Sequence, residues 1–270
     1  MPPSVITTGV FDDIRSRQLR FLEEAAKLGP LTVLAWSDEL AARLTGRVPK
    51  FSTAERLYFL RAVRYVTRAE VITATELDAA PACPGLRPAI WATLAAEENA
   101  AKRAQATAQG MKLHAFTDAQ LAGFPTPAAQ PWTGRKKVVA TGCYDWFHTG
   151  HVRFTEEVSE HGDLTIVVGN DKTVRELKGE GHPLFSQEER RYVVGSIRFV
   201  TQCLVSTGMG WLDADPEIRA LQPDIYAVNE DGDKGGKREY CAKLGIEYLV
   251  LKRTPAAGLP RRSSTDLRGF

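Results

Sequence analysis

An internal repeat does most to limit how this chain of 270 residues can fold. The segment from Gly9 to Val33 aligns without gaps to the segment from Gly142 to Ile166, a shift of 142 − 9 = 133 positions. Several matched positions carry the same residue: Asp12 and Asp145, Arg20 and Arg153, Phe21 and Phe154, Gly29 and Gly162. Two copies of one pattern predict two tandem domains of the same fold, each long enough to bury its own core.

Both copies alternate apolar strands with helices. Each copy is expected to begin with a strand, a helix and a second strand. In the first copy these lie at Ser4 to Thr7, Arg17 to Leu28 and Leu31 to Ala35. In the second copy they lie at Lys137 to Ala140, His151 to His161 and Leu164 to Gly169. Ser52 and Ser186 each precede a glutamate by three positions, a capping box that predicts helices running to about Tyr65 and Phe199. The alternation predicts the α/β fold class, with a parallel sheet covered by helices on both faces in each copy.

The composition is typical of a globular protein of the cytoplasm. Charged residues make up 25% of the chain and the formal net charge is +2, which gives no indication of a nucleic-acid partner. The sequence contains no apolar run of about 18 residues and no pattern typical of a signal peptide, so we expect no membrane partner. The cysteines are widely scattered, which predicts reduced thiols at Cys83, Cys143, Cys203 and Cys241.

The strongest functional signal is a pair of histidines three positions apart, behind a glycine-containing turn that follows a strand. The run reads Thr141-Gly142-Cys143-Tyr144-Asp145-Trp146-Phe147-His148-Thr149-Gly150-His151. A helix that begins here offers backbone N–H groups and a positive dipole potential to an anion. His148 and His151 share a helix face and can donate hydrogen bonds to phosphate, and Gly150 lets a phosphate or a ribose approach the backbone. The pattern therefore indicates a nucleotide-binding site.

His148-Thr149-Gly150-His151 resembles the HxGH signature of the cytidylyltransferase-like nucleotidyltransferase superfamily. The resemblance extends over residues 137–268 and, as an eroded copy, over residues 4–125, and it implies two tandem Rossmann-like nucleotidyltransferase domains. It also implies that the two histidines stabilise charge on the attacked phosphorus as pyrophosphate leaves. The nucleotide-binding residues that it implies in this turn are Thr141, Gly142, Cys143, Tyr144, Asp145 and Gly150.

The same resemblance assigns residues further along the second copy. Lys178 lies on a glycine-rich loop that could fold over the site, and Arg190 matches the superfamily's arginine on the helix after that loop. Both are expected to be catalytic. The expected nucleotide-binding residues near the end of the chain are Asp231 and Asp233, then Arg253, then Ser263, Ser264 and Thr265.

Structural interpretations of four of these assignments stay open. Lys178 could be a solvated loop lysine, and Asp231 and Asp233 could belong to a solvated acidic turn. Arg190 is matched by an arginine in the first copy and Asp145 by an aspartate there, so both could serve the fold instead.

The first copy lacks the chemistry of the second. Arg15-Ser16-Arg17-Gln18 stands where the second copy has the histidine motif, and Asp118 stands opposite Arg253. We therefore expect a degenerate, inactive domain over residues 1–125, a proline-rich linker over 126–136 and a catalytic domain over 137–270.

The resemblance implies transfer of a nucleoside monophosphate from a nucleoside triphosphate to a small phosphorylated or phosphonate acceptor, with release of pyrophosphate. The acceptor attacks the α-phosphorus in line, and Mg2+ accompanies the triphosphate. The turn at 142–145 and the segment 264–267 are most similar to ethanolamine-phosphate cytidylyltransferases, which favours CTP. The segment 177–181 is similar to heptose-phosphate adenylyltransferases, so ATP with a sugar phosphate is the alternative.

Two further expectations concern partners and class. Many superfamily members form dimers, so the two copies are expected to act as an intramolecular pseudo-dimer, with a homo-oligomer left open. The alternative from another functional class is a non-catalytic regulatory protein that binds nucleotide.

Overall fold

Each half of the chain builds its own five-stranded parallel sheet in this computed structural model. The structure describes residues 2–81, 85 and 87–267, without the side chains of Thr265 and Asp266. The chain divides into two compact units, Met1–Gly123 and Phe124–Phe270. Cys83, expected to be a reduced thiol, and the side chain of Thr265, expected to contact nucleotide, lie outside the described residues.

The first unit has the sheet order β3-β2-β1-β4-β5. Its strands are β1 (Val5–Gly9), β2 (Leu31–Trp36), β3 (Arg68–Ile72), β4 (Ile90–Leu94) and β5 (Lys112–Phe116). Its helices are α1 (Ser16–Ala26), α2 (Asp38–Thr45), α3 (Thr53–Ala62) and α4 (Ala100–Ala108), with a 3-10 helix at Ala95–Glu97.

The second unit repeats this order as β8-β7-β6-β9-β10. Its strands are β6 (Lys137–Gly142), β7 (Asp163–Val168), β8 (Gln202–Val205), β9 (Ile225–Asn229) and β10 (Glu247–Leu251). Its helices are α5 (Thr149–Glu160), α6 (Asp171–Lys178), α7 (Gln187–Gly195), α8 (Asp215–Leu221), α9 (Lys237–Leu244) and α10 (Ser264–Leu267), with 3-10 helices at Gly210–Leu212 and Glu230–Gly232.

The strand order explains why strands in the interior of each sheet are buried along their length. The order reverses at β1 and at β6, so right-handed crossovers place helices on opposite faces of each sheet. A central strand covered on both faces has no polar side, and all six residues of β7 are buried. The predicted α/β class with two parallel sheets is confirmed.

Two features of the helices differ from the sequence expectation. The helices capped by Ser52 and Ser186 end at Ala62 and Gly195, earlier than expected, because tight turns closed by Val66 N–H to Val63 O and by Val200 N–H to Ile197 O lead directly into β3 and β8. Lys178 is the last residue of the helix α6 and not part of a loop; Gly179, with φ of 88°, ends that helix.

Parallel pairing brings the candidate residues of the second unit to one edge of its sheet. Gly142 is in register with Val168 between β6 and β7, and Leu251 is in register with Asn229 between β10 and β9. The segments that follow these residues therefore leave the sheet side by side. Ligands of open α/β sheets bind at this carboxyl edge, where the strand order reverses.

Candidate active site

The turn between β6 and α5 is held in an unusual backbone conformation. Tyr144 has a φ of 54°, and its ring is buried over Gly142. A Cβ on Gly142 would lie 2.9 Å from Cε2 of Tyr144, so only glycine leaves room for the ring. The first unit has the same conformation at Phe11, with a φ of 52°. The shape of the turn is therefore a property of the fold, and the chemistry depends on which side chains it carries.

His148 is the N-cap residue of α5, and its imidazole is buried. The backbone N–H of Gly150 donates to Nδ1 of His148 at 3.0 Å. A backbone N–H can only donate, so Nδ1 must carry a lone pair, and Nε2 is then the nitrogen that bears the proton in the neutral ring. A Cβ on Gly150 would lie 2.8 Å from Cε1 of His148, so glycine is needed where the ring folds back over the helix.

His151 is held in the same way by the residue three positions before it. The backbone N–H of His148 donates to Nδ1 of His151 at 3.4 Å, which completes a reciprocal capping arrangement at the start of the helix. The two rings lie 4.1 Å apart between centroids, and the Phe147 ring stacks on His151 at 5.2 Å. Both histidines thus expose Nδ1 to backbone donors and keep Nε2 as the donor nitrogen.

The electrostatics of the site keep His151 neutral. Burial holds the pKa of His151 well below its usual value of 6.5, and the neighbouring His148, Arg253 and Lys178 lower that pKa further. Because Lys178 and Arg253 both lower the pKa of His151, these two residues bring positive charge to the N-terminus of the same helix, although they lie far apart in sequence. A region where cations and a helix dipole converge attracts anions.

Arg253 lies two residues beyond β10 and joins three segments of the site. Its guanidinium forms an ion pair with Asp231 and donates to the carbonyl oxygen of Arg262 at 3.0 Å. That carbonyl oxygen would lie 3.4 Å from a Cβ on Gly150. The side chain of Ser264 reaches the same region, since its Oγ donates to the carbonyl oxygen of Trp146 at 3.1 Å. The structure therefore brings Arg253, its partner Asp231, and Ser264 with the adjacent Ser263 to the segments around the histidine turn.

Asn229, at the end of β9, is a residue that sequence reasoning missed. Its Oδ1 is buried and accepts no hydrogen bond from any described residue. It lines a cavity together with Thr149, Gly150 and Arg253. A buried acceptor without a protein donor is uncommon, and this one could accept a hydrogen bond from a ligand that enters the cavity. The available signal was a polar residue that ends an otherwise apolar strand, just before an acidic turn.

Two residues expected to contact substrate have structural positions instead. Asp145 is buried and accepts hydrogen bonds from the backbone N–H groups of Leu184, at 2.7 Å, and Phe185, at 3.2 Å, with Nδ1 of His182 also 3.2 Å away. Its counterpart Asp12 accepts from two backbone N–H groups of the matching loop. Asp145 thus ties the segment after α6 to the histidine turn and is reassigned from nucleotide binding to positioning.

Arg190 is also reassigned, from catalysis to support of the fold. Only 1% of it is exposed, and its guanidinium donates to the carbonyl oxygens of Phe185, Cys143 and Gly169 at 2.7 to 2.9 Å and to Asp171 at 2.6 Å. Arg56 makes the equivalent contacts in the first unit. An arginine whose donors are engaged in both units serves the common fold.

The remaining predicted residues line the edge of the site or stand behind it. Thr141 and Tyr226 share a hydrogen bond of 2.6 Å between their hydroxyl oxygens, and burial raises the pKa of Tyr226 to about 12. Cys143 contributes only its carbonyl oxygen, to Arg190. Asp233 accepts from the Tyr248 hydroxyl at 2.9 Å and pairs with an exposed arginine. Asp233 therefore belongs to an acidic turn that is already internally paired.

The first unit replaces this chemistry with self-contained ion pairs. Arg15 pairs with Asp13, and Arg17 pairs with Asp118, the counterpart of Arg253. Gln18, at the position of His151, keeps the capping hydrogen bond: its Oε1 accepts from the backbone N–H of Arg15 at 3.1 Å. The cap of the helix is thus common to both units, whereas the imidazoles and the convergent cations belong to the second.

Among the described residues, no group of three or more His, Cys, Asp and Glu side chains is arranged to hold a metal ion. No helix in the described part of the chain is long and apolar enough to cross a membrane.

Comparisons with known proteins place this site in a family. The family model described as cytidylyltransferase-like matches residues 139–268, the region that contains the histidine turn, Arg253 and Ser264. FAD synthase from Ferroglobus placidus is 36% identical over 120 residues, which are 43% of this chain and 75% of that protein. The chain belongs to the cytidylyltransferase-like family.

Two other proteins match over a similar part of the chain. The bifunctional protein HldE from Wolinella succinogenes is 36% identical over 130 residues, which are 46% of this chain but only 26% of HldE. The crystal structure of the lipopolysaccharide core biosynthesis protein from Thermoplasma volcanium GSS1 is 24% identical and covers 46% of this chain and 99% of that one, with a TM-score of 0.39. The predicted membership of the nucleotidyltransferase superfamily is confirmed.

Proposed function

We propose that the second unit transfers a cytidylyl group from CTP to a small phosphorylated or phosphonate acceptor and releases pyrophosphate. The observation that carries this proposal is the convergence of two backbone-fixed imidazoles and two cations, Lys178 and Arg253, at the N-terminus of α5. A triphosphate and an acceptor phosphate are both anionic. A site that brings them together needs fixed donors and positive charge, and these residues supply both.

The reaction we propose is a direct displacement at the α-phosphorus. An oxygen of the acceptor phosphate forms the new P–O bond as the bond from the α-phosphorus to the bridging oxygen breaks, and pyrophosphate leaves with that electron pair. A phosphate is already nucleophilic at neutral pH, so no general base is required. Mg2+ enters with the triphosphate as part of the substrate and offsets charge on the leaving pyrophosphate.

The histidines act in this proposal as neutral hydrogen-bond donors. Because Nδ1 of each ring accepts from a backbone N–H, Nε2 carries the proton that can be donated to a phosphate oxygen. The low pKa of His151 keeps that ring from becoming charged in the absence of substrate. Donors held in place by the helix need little reorganisation as charge develops, which is the main source of transition-state stabilisation at such sites.

ATP is the alternative nucleotide. FAD contains an adenine nucleotide, so the similarity to FAD synthase supports this alternative. The segment 177–181, similar to heptose-phosphate adenylyltransferases, supports a sugar phosphate as its acceptor. A thermal-shift screen of the four ribonucleoside triphosphates separates the two, because at equal concentration the ligand that binds the folded state more tightly stabilises it more.

We propose that the first unit, residues 1–125, is not catalytic, that 126–136 is a linker, and that 137–270 carries the activity. The support is the loss of both imidazoles in the first unit and the pairing of Arg15 and Arg17 with nearby carboxylates.

The test of the proposal measures pyrophosphate release from each nucleoside triphosphate with a panel of phosphate and phosphonate acceptors. His148→Asn is the informative variant, because asparagine is a good N-cap residue and keeps the helix start while it removes Nε2. Activity should fall at least about 100-fold in His148→Asn. Gln18→Ala, which alters the matching cap in the first unit, should leave turnover unchanged. Nucleotide binding without turnover for any acceptor would instead identify a non-catalytic regulatory protein.

A further inference from the structure

The first unit contains a ligand-sized cleft that the proposed reaction does not use. The cleft has a volume of about 760 Å3, within the range typical of small-molecule sites. It lies at the carboxyl edge of the first sheet, where the lining includes Gly9 at the end of β1, Trp36 at the end of β2 and Leu94 at the end of β4. This is the edge that carries the candidate active site in the second unit.

Aromatic side chains form much of the wall of this cleft. The four that line it are Phe11, Phe21, Trp36 and Trp91. The Trp36 indole N–H donates to Oγ1 of Thr8 at 2.7 Å, which fixes the orientation of that ring at the edge of the cleft. Trp91 is 2% exposed and forms part of the floor. An aromatic wall favours a ligand with a flat or apolar body and can also bind a cation through the faces of its rings.

The charge of the lining excludes the nucleotides that suit the second unit. Five carboxylates line the cleft, those of Asp12, Glu76, Asp78, Glu97 and Glu98, against two cations, Arg17 and Lys102. Both cations are engaged by carboxylates, since Arg17 pairs with Asp118, and Nζ of Lys102 lies 3.6 Å from Asp78. Three of the carboxylates are themselves in ion pairs, Glu76 with Arg43, Asp78 with Lys102 and Glu98 with Arg103, and Asp12 accepts from two backbone N–H groups. Among the described residues, Glu97 has no ion-pair partner, so a triphosphate would meet an unbalanced carboxylate and no cation outside an ion pair.

Neighbouring side chains hold part of the acidic lining in place. Asp78 is fixed by Nδ2 of Asn99 at 2.8 Å and by Lys102, which itself lies over the Trp91 ring at 5.7 Å. Glu97 follows β4 in a 3-10 helix, where its Oε2 accepts from Oγ1 of Thr93 at 3.3 Å. A carboxylate has lone pairs for several donors, so Glu97 can accept a further hydrogen bond from a ligand.

From this cleft we infer a binding site in the first unit for a small organic cation, an amine attached to an aromatic or apolar body. The ammonium group meets Glu97, and the body lies against Phe11 and Trp36. The two units thereby present sites of opposite charge on the same fold: Asp118 stands where the second unit has Arg253, and Leu94 stands where it has Asn229.

The test uses the full chain and three probes with the same phenyl body. Isothermal calorimetry compares 2-phenylethylamine with the neutral 2-phenylethanol and the anionic phenylacetate. The amine should bind at least about tenfold more tightly than the alcohol, and phenylacetate should give no binding heat. No binding of the amine, or equal binding of phenylacetate, overturns the inference. Tighter binding of neutral adenosine than of the amine also overturns it, in favour of a nucleoside site.

Substitutions in the full chain test whether the amine binds in the cleft. Glu97→Gln is an isosteric change at an exposed position. It should weaken binding of the amine about threefold to tenfold and leave the affinity for the alcohol unchanged. Ala96→Trp should fill the cleft and abolish binding of both. Glu39→Gln removes an exposed carboxylate on α2 outside the lining and should change neither. If Ala96→Trp does not fold, the Glu97→Gln comparison decides alone: an unchanged affinity for the amine rejects the cleft as its site.

Discussion

The substitution Gly150→Ala tests whether the backbone aims the catalytic imidazole. A Cβ at this position would lie 2.8 Å from Cε1 and 3.0 Å from Nδ1 of His148, and 3.4 Å from the carbonyl oxygen of Arg262. The ring is buried and the carbonyl accepts from Arg253, so the easiest relief is rotation of the imidazole away from the helix. That rotation breaks the hydrogen bond from the Gly150 N–H and redirects Nε2.

The expected change in stability is small because two effects oppose each other. Gly150 is the second residue of α5, where alanine is favoured over glycine by up to about 1 kcal/mol. Loss of the capping hydrogen bond costs about 1 kcal/mol. The melting temperature should therefore move by no more than a few degrees. Turnover should fall about 100-fold or more, because one misplaced donor to the developing charge has an effect of that order.

The assay is steady-state pyrophosphate release, with thermal unfolding measured on the same preparation. Gly9→Ala is the control, since its Cβ would meet only Phe11, at an ordinary 3.6 Å. Adding Gly150→Ala to His148→Asn should cause little further loss of turnover, because the donor that Gly150 orients is already absent. If Gly150→Ala alone keeps its turnover within about threefold of the parent protein, the reasoning that the Gly150 N–H orients the catalytic ring is wrong.

Four other substitutions separate the requirements of the fold from those of the chemistry. His151→Gln keeps a capping side chain like that of Gln18. Since His151 has a lowered pKa and must stay neutral when folded, the free energy of unfolding falls as the pH drops below 6.5, and urea titrations of this variant should show less of that fall. Asp145→Ala and Asp12→Ala should each cost about 2 kcal/mol in urea unfolding, but only the first should slow pyrophosphate release. Arg253→Gln should weaken nucleotide binding about tenfold to a hundredfold by calorimetry, and unchanged binding would remove Arg253 from the site.

The sequence was sufficient for the elements whose signals are local. Apolar strands buried on both faces, such as β7, can only be interior strands, and the serine caps at Ser52 and Ser186 marked true helix starts. The signal that determines where a helix ends is less local. α3 and α7 stop where the chain must turn back into the sheet, and that requirement depends on the position of a neighbouring strand and not on the residues of the helix.

At the site, the sequence left the roles of some residues open and gave no indication of another. Asp145 and Arg190 stand beside the histidines in sequence or in space, yet both are matched in the first unit by residues with the same contacts. Identity between the two copies marked them as parts of the fold, whereas the superfamily resemblance marked them as functional. Asn229 was missed because its role does not depend on its neighbours in sequence. Its significance depends on the parallel register of β9 and on an unpaired buried oxygen, neither of which is visible along the chain.

The cap at the start of the two matching helices shows which part of the histidine motif folding requires. Folding needs an acceptor at the third helical position to receive the N-cap backbone N–H, and Gln18 meets that need in the first unit as His151 does in the second. An imidazole offers the same acceptor at Nδ1, but it also carries a second nitrogen on the far side of the ring. That Nε2 contributes nothing to the cap. Its presence beside Arg253 is not required by the stability of the helix, and it fits the negatively charged substrate that we propose for the second unit.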